Sequence, residues 1–351
     1  MTSVIIGVLA HNEENGIRET LNDILAQDLW AHESFNVSLQ IVVNGSSDRT
    51  ADVAREHLAT NTETTQVFEV ERPGKANAWN LFVHEYTPAD TDILVLADAD
   101  IRLPQPDALR VMLETLLANP HAVAVVDEPV KDWVYAGAGG AKAWISSSAS
   151  QLAKQGPPKL CGQLYAAWIE ALRAIFLPEP MLVEDGFIKA MLLTQGFTEP
   201  EDTSLLIRAP DVYHVYEAEK GFAAVYKHEK RILLGTLCNL VLFKECRRQV
   251  AAGESVSPWI RREMQQDPDW FRTFIAEQLG PGAKSRPVQP FILLPWRQLR
   301  SRRGVAFLKA LPAALARTAL NLLLAADVVW GLRRGSPLPS WSLGSRAKAG
   351  S

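Results

Sequence analysis

The chain has 351 residues, 47% hydrophobic and 22% charged, with 36 basic and 40 acidic side chains and a net charge of −4. This composition excludes a disordered, collagen-like or disulfide-stapled chain, and the length suits one large α/β domain with an appendage, or two domains. Three cysteines, Cys161, Cys238 and Cys246, form no CxxC pair, which argues against a structural zinc site and suits a reducing compartment. Val4 to Ala10 reads as a buried strand entering the turn His11-Asn12-Glu13-Glu14-Asn15-Gly16, and Ile17, Leu21, Ile24 and Leu25 follow at helical spacing. The first residues carry neither the basic segment nor the cleavage site of an exported protein, so a cytoplasmic location is expected.

Leu39 to Val43 reads as a second strand ending in Asn44-Gly45-Ser46-Ser47-Asp48, with a helix from Ala51. Gln66 to Val70 is a third strand, and the loop Glu71 to Lys75 opens a helix at Ala76. Asp92 to Ala97 is a fourth strand, strongly apolar, and stops at Asp98-Ala99-Asp100. Strands alternating with helices predict a mostly parallel sheet flanked by helices, whose ligand lies beyond the carboxyl ends of the strands. Farther on, a helix is expected around Leu109 to Leu117, a strand at Ala122 to Val126, and a Gly/Ala/Ser-rich stretch from Ala136 to Ser150. Residues 166–174 fit a helix or a strand, Asp185 to Leu193 reads as a helix opened by Glu184-Asp185, and the pattern is helical from about residue 230.

The polar clusters fall at strand ends. Asp98-Ala99-Asp100 places two carboxylates on one side of the backbone, where they can share a divalent cation with a diphosphate or form a solvated turn. Asp48 is placed to cap a helix. Lys75 stands at a helix start, where the dipole disfavours a cation; a bound phosphate or carboxylate nearby would account for it, as would simple solvent exposure. The Glu184-Asp185 pair can cap its helix or supply a general base.

In order and spacing, strand–Asn-Glu, strand–Asn-Gly-Ser-x-Asp, Gly-Lys-x-x-Ala-x-Asn, strand–Asp-x-Asp and a later Glu-Asp resemble the family 2 glycosyltransferases. The resemblance covers about residues 3–235. It implies a GT-A-type, Rossmann-like α/β fold over residues 1–235, with a helical C-terminal extension over 236–351. It further implies an inverting transfer of a sugar from a nucleoside diphosphate donor to a sugar or lipid-linked acceptor, in cell-envelope glycan or glycolipid synthesis. By position, Glu13 and Asn44 resemble the contacts to base and ribose, Asp98 the contact to the nucleoside, and Lys75 a residue near the donor. Asp100 is similar to the ligand of a divalent cation, Mg2+ or Mn2+, Gly162 to the glycine lining the sugar site, and Asp185 to the catalytic base. Asn44 stands where the family more often has aspartate. Lys227-His228-Glu229-Lys230-Arg231-Ile232 keeps the arginine of the processive members' Gln-x-x-Arg-Trp motif without its glutamine and tryptophan, so Arg231 is expected at the donor and transfer is expected to be non-processive.

From Trp296 onward ten basic residues face one acid, Asp327, and Leu308, Leu311, Leu315, Ala319, Leu322, Ala326 and Val329 fall near one helical face. That helix is expected either to pack on the domain or to touch the inner face of the cell membrane through residues 296–335. No stretch of eighteen residues is both uncharged and clearly apolar, which predicts no membrane span, and nucleic acid is not among the expected partners. Two other readings stand beside this one. A nucleotidyltransferase would carry a basic, glycine-rich loop after the first strand, where this chain has acids. A non-catalytic sugar-nucleotide-binding protein would not need Asp185.

Overall fold

The computed structural model describes residues 1–59, 64–136, 157–283, 287–300 and 304–335. The expected Gly/Ala/Ser-rich stretch from Ala136 lies, beyond its first residue, outside them.

The first half alternates as its sequence predicts: β1 (Thr2–Ala10), α1 (Ile17–Leu25), β2 (Phe35–Asn44), α2 (Thr50–Leu58), β3 (Thr65–Val70), α3 (Lys75–Leu81) and β4 (Ile93–Asp98). Successive strand residues point to opposite faces, and both faces are covered. Val4, Ile6, Val8, Ile93, Val95 and Ala97 pack in one buried cluster with α1 and α2. Ile5, Leu9, Leu94 and Leu96 pack in another with Trp79 of α3. Burial on both sides explains why these strands read as continuous apolar runs.

β5 (Ile101–Arg102), α4 (Ala108–Leu117), β6 (Ala124–Lys131) and α5 (Asp132–Tyr135) follow. The ambiguous stretch around residue 166 is both a strand and a helix, β7 (Leu164–Trp168) running straight into α6 (Ile169–Arg173). After α7 (Glu184–Leu193) comes β8 (Leu206–Tyr216), which the sequence reading did not find. The sheet order is β3-β2-β1-β4-β7-β6-β8-β5. Among the described residues β1–β2, β1–β4, β2–β3 and β6–β8 pair parallel, while β7 is antiparallel to β4 and β6, and β5 to β8.

The register sets the site. Ala10 is level with Val43, Leu9 with Asp98, and Asn44 with Val70. The carboxyl ends of β1 to β4 therefore form one edge, and antiparallel pairing of Ala97 with Leu164 brings the segment before β7 to that same edge. The chain reverses direction across the sheet between β1 and β4, the switch point at which open α/β sheets leave a crevice.

Helices α8 (Phe222–Ala251), α9 (Val256–Gln266), α10 (Trp270–Leu279), α11 (Gln289–Ile292), α12 (Leu294–Leu299) and α13 (Gly304–Arg333) follow among the described residues. The boundary expected at residue 235 falls in the middle of α8, whose Leu233, Leu237, Leu242 and Cys246 share one buried cluster with Phe187 of α7 and Leu324 of α13. The helical region thus continues the core on one face of the sheet. Residues Ala306–Arg333 of α13 are long and apolar enough, by length and composition alone, to cross a membrane, an 18-residue window within them having a mean hydropathy of 1.4. The charges of Arg317 and Asp327 interrupt the run without lowering that mean below the range of a span.

Candidate active site

The loops after β1 and β2 are stitched together by side chains. Asn12 takes a left-handed conformation (φ 54°); its amide N–H donates to Ser46 Oγ at 3.0 Å and its Oδ1 accepts from Ser47 N at 2.8 Å. Asp48 accepts from Glu14 N at 3.1 Å and from Thr50 N at 3.0 Å, so it ties the two loops to the first residue of α2. Gly45 also has positive φ (55°), and a Cβ there would lie 2.6 Å from Pro73 Cβ. Only glycine lets the β2 end approach the loop that leads into α3.

Asn44 lies apart from the other expected donor residues. It is 1% exposed, its Oδ1 accepts from Gly74 N at 3.2 Å, and its carbonyl meets His11 Nδ1 at 2.6 Å. The side chain is turned into the protein to hold the Gly74 loop, and it lines neither of the cavities described below. Asn44 Oδ1 thus supports the Gly74 loop, while its buried Nδ2 meets no hydrogen-bond partner among the described residues.

A cavity of about 530 Å3 opens at the strand edge, lined by Glu13, Lys75, Asp98, Asp100, Gly162, Asp185 and Arg231. A second cavity of about 530 Å3 adjoins it on the side of the Asn12 to Gly16 loop. Glu13, Asp100, Tyr216 and Glu217 border both.

At the centre of the first cavity is Lys75, the first residue of α3. Its Nζ lies 2.7 Å from Asp98 Oδ1 and 3.0 Å from Glu184 Oε1, and it donates to the Gly162 carbonyl at 3.2 Å. The anions that the misplaced cation called for are thus two carboxylates of the chain itself. Burial works against charge on Lys75, but Asp98 and Glu184 outweigh it and hold the ammonium above its usual range. Burial pushes the Asp98 carboxyl up to about 6, with Lys75 pulling the other way and Asp100 adding to the rise.

The acid pair at the start of α7 divides its tasks. Glu184 turns to Lys75, and Asp185 faces the cavity while its Oδ1 accepts from Gly186 N at 2.7 Å. Burial and the neighbouring Glu184 push the Asp185 carboxyl up to about 6, against the pull of the Gly186 N–H and of Lys75. From α8, Arg231 Nη1 donates to the Leu182 carbonyl at 3.3 Å and Asn239 Nδ2 to the Val183 carbonyl at 2.9 Å. Both side chains fix the segment that presents the acid pair.

Gly162 is packed against this cluster. A Cβ there would lie 3.0 Å from Glu184 Oε1, 3.4 Å from Asp185 Cβ and 3.5 Å from Lys75 Nζ. Gly162→Ala is expected to displace the acid pair by a few tenths of an ångström and lower turnover by up to about 10²-fold, with the circular dichroism spectrum unchanged. Wild-type turnover in this variant would mean that the close contact has no bearing on catalysis.

Two features escaped the sequence reading. Asn80, in the Gly-Lys-x-x-Ala-x-Asn run, is structural: its amide donates to the Leu177 carbonyl and accepts from Leu177 N, each at 2.9 Å. His214 of β8 and Asp127 of β6 form a fully buried pair (Nδ1 to Oδ2, 2.7 Å), and His214 Nε2 lies 3.4 Å from the cavity-lining Gln163 Oε1. The β-branched and aromatic residues Ile207, Val212, Tyr213, Val215 and Tyr216 were the available signal.

The donor set can be weighed against a divalent cation. Among the described residues no group of three or more His, Cys, Asp or Glu side chains forms a cage, and Asp100 stands where the two cavities meet.

Residues 5–159 match the family model described as Glycosyl transferase family 2. The matched segment holds Glu13, Asn44, Lys75, Asp98 and Asp100 and ends before Gly162 and α7. Its fold is that of the GT-A enzymes. A mannosyltransferase from Pyrobaculum calidifontis, solved in complex with GDP-Man and Mn2+, superposes with a TM-score of 0.54 at 21% identity, covering 93% of this chain and 87% of its own. Glucosyl-3-phosphoglycerate synthase from Mycobacterium tuberculosis, solved with Mn2+, UDP-glucose and phosphoglyceric acid, has a TM-score of 0.47 at 19% identity over 67% of this chain and 79% of its own. No curated protein matches the sequence.

Proposed function

We propose that the chain is an inverting, non-processive glycosyltransferase that moves a sugar from a nucleoside diphosphate to a hydroxyl of a sugar or lipid-linked acceptor. Its setting would be glycan or glycolipid synthesis on the cytoplasmic side of the cell envelope. The observation that carries this reading is that one lysine ties the two acidic motifs together. Lys75 bonds both to Asp98 at the end of β4 and to Glu184, which puts the next residue, Asp185, in the cavity that Asp100 also lines. That the Pyrobaculum enzyme was solved with GDP-Man and Mn2+ supports a nucleotide sugar and a cation as ligands.

In this reading the nucleoside occupies the cavity beside the Asn12 to Gly16 loop, with Glu13 accepting a hydrogen bond at the border of the two cavities and Asp98 facing the donor from the adjoining one. The diphosphate lies at the junction by Asp100, and the sugar lies over Gly162. Asp100, together with the donor's phosphates, would hold Mg2+ or Mn2+, and the ion would offset the charge growing on the departing nucleoside diphosphate. Arg231 adds a positive charge to the cavity wall. Lys75 is fully engaged by carboxylates and acts by holding the two motifs in place. Asp185 takes the proton of the acceptor hydroxyl as its oxygen bonds to the anomeric carbon and the sugar–phosphate bond breaks.

Titration calorimetry tests the donor half of this scheme. UDP or GDP is expected to bind the wild-type protein in the presence of Mn2+ and much more weakly without it, and Asp100→Ala is expected to abolish the metal-dependent part. Equal Mn2+ dependence in wild type and Asp100→Ala would remove Asp100 from the scheme, and failure of every nucleotide sugar to bind or turn over would overturn the function.

A further inference from the structure

Helix α13 carries a surface that the transfer chemistry leaves unused. Its inner side is committed to the protein. Arg317 pairs with Glu229, Asp327 pairs with Lys230 at 2.7 Å and accepts from the Tyr226 hydroxyl at 2.9 Å, and Asn321 Nδ2 donates to the Phe291 carbonyl at 2.9 Å. Leu324, Ala325, Val328 and Leu332 are buried on that side.

The outer side is apolar and exposed. Leu308 (66% exposed), Leu315, Leu322, Leu323 and Trp330 (56%) stand out, and at 3.6 residues per turn they fall on one face. Exposed Pro312, Ala319 and Ala326 fill the gaps between them, so the stripe runs roughly 30 Å along the helix without a polar side chain. A contiguous apolar surface of that length marks an interaction site.

Charge identifies the partner. Arg297 and Arg300 precede the stripe and Arg333 and Arg334 follow it, the Arg334 guanidinium lying 3.8 Å from the centroid of the Trp330 ring. Ten basic residues against one acid from Trp296 onward would repel a second copy of this tail and attract anionic headgroups. A crossing helix would have to break the Arg317–Glu229 and Asp327–Lys230 pairs and carry those charges through hydrocarbon; a helix lying in the interface keeps them. We infer that the outer face of α13 docks on an anionic bilayer, flat in the headgroup region, with Trp330 and the flanking arginines at the polar boundary. Docking does not depend on the sugar-transfer reading, so binding and turnover report on the two separately.

Flotation of the full chain with vesicles provides the test. Wild type is expected to float with phosphatidylcholine vesicles containing phosphatidylglycerol, and less with phosphatidylcholine alone. The double substitution Leu315→Glu, Leu322→Glu is expected to lower the partition coefficient at least about tenfold, and Arg333→Glu with Arg334→Glu to remove the preference for phosphatidylglycerol. Thermal melting confirms that each variant is folded, and the charge-reversal pair keeps the test valid if the leucine pair unfolds. Absence of wild-type flotation, equal flotation of wild type and the folded leucine variant, or light scattering showing that the stripe instead closes a dimer would overturn the inference.

Discussion

Asp185→Asn is expected to lower turnover by about 10²–10⁴-fold while leaving Mn2+-dependent nucleotide binding largely unchanged. The amide preserves the shape of the carboxyl and its bond to the Gly186 N–H but cannot accept the acceptor's proton. Because burial and Glu184 raise this carboxyl to about 6, the base is protonated below that value, and kcat/KM is expected to climb as pH rises through about 6 and then level. The variant should lose that limb. The same shift carries a sign for stability. A carboxyl whose folded pKa lies above its unfolded one stabilises most at low pH, and this contribution is lost as pH rises through about 6. Asp185→Asn should therefore melt higher than wild type at neutral pH. Steady-state kinetics across the acid limb, with melting curves at neutral pH, check both halves. Wild-type turnover in the variant would exclude Asp185 as the base.

Lys75→Met is expected to cost about 3–5 kcal/mol of stability, the usual loss when one partner is removed from a buried ion cluster. The methionine keeps the aliphatic stem but leaves Asp98 and Glu184 facing each other without a cation. The deficit is expected to grow with pH, since the Asp98 carboxyl, pushed up to about 6 by burial, is protonated at the acid end and the repulsion is relieved there. Urea midpoints of wild type and variant at mildly acid and mildly alkaline pH measure this. A loss well under the expected range at both would show that the carboxylates find other partners and that Lys75 does not clamp the two motifs.

β1, the second half of β2, and β4 were legible because each is an apolar run closed by a polar turn, and a parallel strand covered on both faces must be such a run. β7 was ambiguous because residues 164–173 pass from strand to helix without a polar break. β8 was missed because its pairing with β6 is set across a separation in sequence of more than eighty residues. The site divided the same way. Strand ends placed Glu13, Asp98 and Asp100 on one edge, whereas the inward turn of Asn44 depends on Gly74, a residue of a different loop.

What the sequence by itself determined is a sheet whose acids gather at the carboxyl edge, since hydrophobic period and turn residues are local properties of the chain. Only the tertiary structure decided that Lys75 pairs with Glu184 and leaves Asp185 to the cavity, and that Arg317 and Asp327 turn α13 inward and leave its leucines outside. Those choices join segments far apart in the chain, and electrostatic pairing between such segments follows from how the helices pack on the sheet, which no local pattern encodes.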